Sequence, residues 1–488
     1  MSDPVHALYQ ASTYPAVSHP STDPAATAVA AKLAGLDVTL PSQARILDIG
    51  CASGHNLLPL AARWPDSRFA GIDYSPAGIE EARETARVTG LTNVEFFHAD
   101  LREFDPGEGV AYDFIIAHGL YSWVPPEVRQ TLLDFCRARL SPGGVALISY
   151  NTLPGWSLRK SIVDLATLLA RRPAAAEIGG DPEAVLGYLA GAAGNHNPYA
   201  RHLTSVLHDM FGKSDSILMF DDFGPINEPR TFLEFTGHAA SSGLRYLGES
   251  QLAENFPASL SREAEEMLKP LAGDPPALQQ MIDVLTNRTF RSSLFCREDA
   301  ALDPRISPAT VLDFSVRCPH VTQPSADGIR LIDREGGEVA GFTDPLAVAF
   351  FSELSKTKTQ SVPVHEVAAR LAMAGDPAPC LSPLPRLVVD AARRGLVLLR
   401  IEPVRFDDAT PTFPDLGPLR LSAARKGRSL VDLHHAPYGP DDARRRIALL
   451  MDGSLATEEL AARAKTILPN LDFHAWSAYL ASRGMFVP

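Results

Sequence analysis

Three aspartates carry the most specific chemistry legible in this chain. Asp48 sits in Arg45-Ile46-Leu47-Asp48-Ile49-Gly50-Cys51-Ala52-Ser53-Gly54-His55-Asn56, an apolar run that enters a glycine-containing turn and opens a helix at about Leu57. Asp73 follows nineteen residues after Gly54, in Gly71-Ile72-Asp73-Tyr74-Ser75, where a carboxylate can accept hydrogen bonds from both hydroxyls of a ribose. Asp100, in His98-Ala99-Asp100-Leu101, ends a third apolar run and can face an exocyclic adenine amine. A dinucleotide fingerprint would need GxGxxG, and Gly50-x-Ala52-x-Gly54 does not match it, so a smaller and less anionic nucleoside fits better. Acids at the carboxyl ends of successive strands converge on the crevice where open α/β sheets bind ligands.

The elements that position these acids read as an alternation of two periods. Short apolar runs at 45–49, 68–72, 94–98, 112–117 and 144–150 are separated by helical patterns such as 75–89 and 126–139, the rhythm of βαβ units around a parallel sheet. A Pro/Ser/Thr-rich arm and an alanine-rich helix at about 25–35 precede the first run. Segments 156–172, 181–191 and 199–211 read as helices of an insertion spanning about 156–230. A helix at 229–241, a strand at 244–248, a helix at 275–287 and a strand at 289–297 supply the last pair of a seven-stranded sheet, which places the α/β domain at 1–298. Beyond it a pattern of three helices, a glycine and an apolar strand occurs twice, ending Arg394-Gly395-Leu396-Val397 and Arg483-Gly484-Met485-Phe486. That is a winged-helix-like arrangement, with α+β modules at 299–410 and 411–488.

Composition narrows the function. The chain has 488 residues and a net charge of −13, a balance that repels phosphate backbones and disfavours nucleic acid as the main partner. From Asp415 onward the net is +2, too little for a DNA-reading face, so protein docking or homodimerisation suits the modules better. Cys51, Cys136, Cys296, Cys318 and Cys380 are odd in number and form no CxxC pair, so neither a zinc finger nor a secreted disulfide framework is expected. No leader pattern and no apolar run of membrane-spanning length occurs, which points to the cytoplasm. His434-His435 lacks further ligands at metal spacing and is expected on the solvated surface, so no metal is anticipated.

The glycine turn with its two downstream acids resembles the class I S-adenosylmethionine-dependent methyltransferases; Ala52, in place of the usual middle glycine, is the departure. A narrower resemblance rests on His118-Gly119-Leu120-Tyr121-Ser122-Trp123-Val124-Pro125, Tyr150-Asn151-Thr152-Leu153-Pro154-Gly155-Trp156, Asn227-Glu228-Pro229-Arg230-Thr231-Phe232, Gly243-Leu244-Arg245-Tyr246-Leu247-Gly248-Glu249 and Asn287-Arg288-Thr289-Phe290-Arg291. Together these look like the bacterial methyltransferases with a regulatory domain, here about 215–298, and like the rickettsial protein-lysine methyltransferases; Tyr9, Tyr14 and Ser18-His19-Pro20 resemble the leading arm of that group. The resemblance implies S-adenosylmethionine as cofactor, held by Asp48, Gly50, Cys51, Ser53, Gly54, Asp73, Tyr74, Asp100, Leu101 and His118, and a protein or peptide substrate modified at lysine. The acceptor would enter beside His118, Tyr121, Trp123 and Asn151, with Tyr121 and Trp123 holding a cation by their ring faces and His118 as base. Two alternatives stay open: a small-molecule acceptor with the insertion as a lid, and a non-catalytic cofactor-sensing regulator whose modules bind DNA.

Overall fold

The computed structural model describes residues 14–15, 17–212, 215–256, 260–303, 307–373 and 382–487; Tyr9 and Cys380 lie outside them. Seven strands, β1 (Arg45–Ile49), β2 (Arg68–Asp73), β3 (Val94–His98), β4 (Tyr112–Ala117), β5 (Leu140–Asn151), β6 (Leu244–Glu249) and β7 (Phe290–Arg297), form one sheet in the order β3-β2-β1-β4-β5-β7-β6. The first five pair in parallel, and β7 runs antiparallel to both β5 and β6. Neighbouring residues along each strand fall on opposite faces. Ile46, Phe114, Leu147 and Leu294 enter one core, and Leu47, Ile115, Ile148 and Phe295 enter the other. A sheet covered on both faces is what continuous apolar runs encode, in contrast to strict alternation. The strand order reverses between β1 and β4, which opens the ligand crevice at the carboxyl ends of these strands.

The last strand pair is locked in place by buried charge. Arg291 on β7 is fully buried and reaches Asp283 (2.7 Å) on the helix Pro275–Thr286 and Glu249 (2.5 Å) at the end of β6, while its guanidinium lies 4.4 Å from the Phe232 ring centroid. The insertion consists of helices Trp156–Ala170, Pro182–Ala192, Pro198–Phe211 and Asp215–Asp221 with a small core of Ile162, Val163, Val185, Leu186, Leu207 and Met210. Asp181 and Asn197 cap the second and third of these by accepting the Ala184 and Ala200 N–H groups, with proline at the first helical position. Buried Arg159 ties the first helix to Asp222 and Asp209.

The remainder forms two further cores. Phe314, Val316, Phe350, Phe351, Val388 and Leu399 pack around an antiparallel sheet of Ser315–Arg317 with Val362–Pro363 and Leu398–Arg400. Leu416, Leu421, Ile447, Leu460, Trp476 and Leu480 build the second. The tandem pattern holds for the helices and fails for the strands: Gly395 leads into Leu398–Arg400, but no strand follows Gly484 among the described residues, where Val487 N–H donates to Asp415 O (2.9 Å). A meander of Val321–Ser325, Gly328–Ile332 and Glu338–Phe342 is additional to the expected pattern. No described helix is long and apolar enough to cross a membrane.

Candidate active site

The turn after β1 is built from left-handed backbone: Gly50, Ala52 and Gly54 have φ of 80°, 46° and 71°. Gly54 has no substitute, because a Cβ there would stand 2.8 Å from the Phe96 ring. Alanine in this conformation costs about 1–2 kcal/mol. The Ala52 N–H donates to Asp73 Oδ2 at 2.8 Å, and a hydrogen bond to a charged acceptor contributes about 1.5–3 kcal/mol, enough to hold the alanine where a glycine is usual. Asp73 Oδ1 accepts the Ser75 N–H (2.7 Å), and the Gly50 and Cys51 N–H groups both donate to Ile72 O (2.8 and 3.1 Å). The turn and the end of β2 are therefore one hydrogen-bonded unit.

The three acids converge as their spacing predicts, in different electrostatic states. Asp48 is 3% exposed, and burial pushes its carboxyl up to about 7, with Asn56 pulling it down and Asp73 raising it further. Burial likewise raises Asp73, against the Ser75 and Ala52 N–H groups that favour its ionised form. Asp100 is held below the usual carboxylate range by hydrogen bonds from the Arg102 guanidinium, which grips both of its oxygens (3.0 and 2.5 Å).

All three acids line a cavity of about 290 Å³, close to the lower end of about 300–1,000 Å³ usual for small-molecule sites. Gly50, Cys51, Ser53, Tyr74, Leu101 and His118 also line it; Gly54 stands behind the wall against Phe96. At the end of β4 the His118 ring lies 4.0 Å from His19 and 5.5 Å from Phe290, centroid to centroid, and its Nδ1 is buried without a partner. Burial, reinforced by His19, drops the His118 pKa well below the ordinary histidine value, so the ring is neutral at cellular pH and a weak base.

The expected acceptor residues separate into two groups. Trp123 lines the cavity, and its Nε1 donates to Asp221 O (3.3 Å). Tyr121 does not reach the cavity: its side chain is buried, its hydroxyl meets His238 Nδ1 (2.7 Å), and its ring packs on Phe235 (4.6 Å). Asn151 is buried too, joining β5 to the segment before the helix Phe232–Ser241 through Asn227 Oδ1 (3.1 Å) and the Arg230 N–H (3.0 Å). The one-turn helix Tyr121–Trp123 turns the two aromatic side chains to opposite sides, which spacing alone does not reveal. On the same Asp221, the Tyr14 hydroxyl donates to Oδ1 (3.1 Å), and its ring meets Phe220 edge-on (5.4 Å). Asp221, Phe290, His19 and Asn56 are among the further lining residues that were not singled out as site residues. Asn56, the last residue of the turn motif, had the clearest sequence signal.

Comparison with known proteins agrees with this geometry. Residues 46–144 match the family described as methyltransferase domain, and residues 214–297 match the predicted methyltransferase regulatory domain. The chain carries a methyltransferase domain. The structure of PKMT2 from Rickettsia typhi has the same fold, with a TM-score of 0.84 over 97% of this chain and 100% of that one at 22% identity. The Rickettsia prowazekii protein RP789 is 30% identical over 64% of this chain and 56% of its own length, so the chain spans little more than half of that relative. The trans-aconitate 2-methyltransferase of Azoarcus is 36% identical over 23% of this chain and 40% of its own length. The methyltransferase domain model covers β1 to β4 and ends as β5 begins its apolar core, so the glycine turn and all three acids lie inside it. The regulatory-domain match takes in β6, β7 and the Arg291 cluster.

Proposed function

We propose that the protein transfers the methyl group of S-adenosylmethionine to a protein side chain, with lysine as the acceptor. The observation that carries the reading is the buried Asp73 carboxylate, fixed by two backbone N–H groups at the rim of a left-handed glycine turn in the sheet's crevice. The fit to the cofactor is supported by the open space at Gly50, where a Cβ would meet only Leu120 at 3.7 Å, and by the unpartnered His118 Nδ1 in the cavity wall. A structure of PKMT2 in complex with AdoHcy, at a TM-score of 0.81, is consistent with it. The cofactor supplies a methyl group activated on a sulfonium, so no nucleophilic side chain of the protein is required.

In this reading the lone pairs of Asp73 not used by Ala52 and Ser75 accept the ribose hydroxyls, Asp100 and Leu101 border the base, and ionised Asp48 faces the cationic end of the cofactor. His118, His19 and Phe290 exclude water from the region between cofactor and acceptor. A lysine entering the mouth meets the Trp123 face, worth about 0.5–2 kcal/mol to a cation, together with the Asp221 carboxylate held by Tyr14. Both contacts favour the ammonium form; burial in the mouth works against them, lowering the pKa from about 10.4 so that the proton passes to water and the neutral amine is the form that attacks the methyl carbon.

One observation favours a small acceptor instead. Asp221 ends an insertion helix directly over the cavity, and the Tyr14 hydroxyl bonds to it, as a lid would. Incubation with methyl-labelled cofactor and a fractionated lysate separates the two readings: label on protein lysine supports the first, and label confined to the small-molecule fraction supports the second.

A further inference from the structure

The glycine turn is also held from outside, by residues about 375 positions away. Arg428, in the second C-terminal module, donates to Ser53 Oγ (3.1 Å) and pairs with Glu81, and Lys426 reaches Glu81 (3.2 Å) and Thr85 (2.7 Å). His434 and His435, expected on the solvated surface, are 6% and 2% exposed. A tight turn folds them inward: Asp432 Oδ1 accepts the His434 and Ala436 N–H groups (2.9 Å each), Asp432 O accepts the His435 N–H (3.0 Å), and Arg483 holds Asp432 Oδ2 (2.7 Å). His435 has φ of 61°, a left-handed conformation unusual for histidine that the surrounding hydrogen bonds over-determine.

His435 Nε2 meets Asn56 Oδ1 at 2.8 Å. The same oxygen receives the His19 backbone N–H (3.1 Å) and the Thr22 hydroxyl (3.1 Å), while Asn56 Nδ2 donates to Asp48 Oδ2 (3.4 Å). A backbone N–H can only donate, so the amide atom beside His19 is the oxygen, and His435 Nε2 must carry the hydrogen. Burial keeps the ring neutral, with its pKa lowered to about 3. Fixing the amide oxygen fixes the amide nitrogen opposite it, and that nitrogen addresses the acid at the head of the motif.

We propose that His435 is a positioning residue for the cofactor site: its Nε2–H, presented by the second C-terminal module, joins the His19 N–H in holding the Asn56 amide, which positions Asp48. The cofactor site is thus completed from the far end of the chain. The inference rests on the function proposed above for what the site binds, and on the geometry of the turn for the positioning itself.

The test compares the full-length wild type with His435→Asn, which tolerates left-handed backbone but stops short of Asn56, and with His435→Gln, whose amide N–H can reach it. S-adenosylhomocysteine is titrated by calorimetry, and amide hydrogen exchange of residues 50–57 is measured in the ligand-free proteins. His435→Asn is expected to lose about ten-fold in affinity, the effect of one hydrogen bond, with kcat at saturation within about two-fold of wild type and faster exchange at 50–57. His435→Gln restores most of both. The His435→Asn/Asn56→Ala double variant binds no more weakly than Asn56→Ala alone, because the two act in series. Unchanged affinity in His435→Asn, or losses that multiply in the double variant, would overturn the proposal. If the wild type does not bind S-adenosylhomocysteine, the functional reading falls; faster exchange in His435→Asn then still supports the positioning role, and unchanged exchange overturns it.

Discussion

Asp48 and Asp73 are both buried, and their surroundings give them different tasks. Asp73 has the Ala52 and Ser75 N–H groups favouring its charge, whereas Asp48, which accepts from the Asn56 amide, is raised to about 7 by burial. Because that value lies above the ordinary carboxylate pKa of about 3.9, neutral Asp48 stabilises the ligand-free fold below about pH 4, and this contribution is lost as pH climbs through 7. A cationic ligand prefers the ionised form, so cofactor affinity is predicted to rise about ten-fold between pH 6 and pH 8. Asp48→Asn should flatten the profile, as calorimetry at several pH values will report. Asp73→Ala removes the proposed ribose acceptor and the anchor of Ala52; at least ten-fold weaker cofactor binding is expected, and unchanged affinity would mean the motif is misread. Trp123→Ala should leave cofactor affinity intact and lower turnover. Tyr121→Phe, which deletes only the hydroxyl bonded to His238, should show its effect in thermal melting ahead of turnover. The acids were legible because a strand end and a turn fix their direction. Tyr121 and Asn151 were not, since the side of a one-turn helix and the partner of a buried amide depend on segments far away in sequence.

At the scale of elements, the segment that matches the regulatory-domain family is part of the seven-stranded sheet, and Arg291 ties its two strands to the helix Pro275–Thr286. Deleting the guanidinium leaves Glu249 buried without its cation and Asp283 with Arg288 alone (3.4 Å), a loss on the order of 3–5 kcal/mol; Arg291→Met should lower the urea midpoint accordingly, and a change under 1 kcal/mol would show that the cluster adds little. Strands β6 and β7 could be read from their apolar runs and the glycine before β6, and the second and third insertion helices have Asp-Pro and Asn-Pro starts, whereas the short helix Asp215–Asp221 was not read. The meander at 321–342 escaped notice because its runs are short and mostly exposed, with only Ile329, Leu331 and Ala340 buried. The second wing failed for a related reason: Met485 enters the core as an isolated residue, and the chain beyond it pairs with Asp415 through a single hydrogen bond.

For the molecule as a whole, the C-terminal modules do more than follow the α/β domain. The helix Pro24–Leu33 is stapled to the first module by the Ile401 N–H to Ala25 O (2.8 Å) and by Arg400 on Asp23 (2.8 Å), and the second module touches the glycine turn through Arg428 and His435. None of this was legible in sequence, where the paired histidines read as surface; Lys426 and Arg428 both pair with Glu81. The negative net charge disfavours a nucleic-acid acceptor, and the function proposed above brings a protein lysine to the cavity mouth, where Trp123, Tyr14 and Asp221 meet. The decisive measurement is mass spectrometry of a cell lysate incubated with the purified protein and methyl-labelled S-adenosylmethionine. The account predicts label on lysine Nζ of protein, abolished by Asp73→Ala; label found only in small molecules, or nowhere, would contradict it.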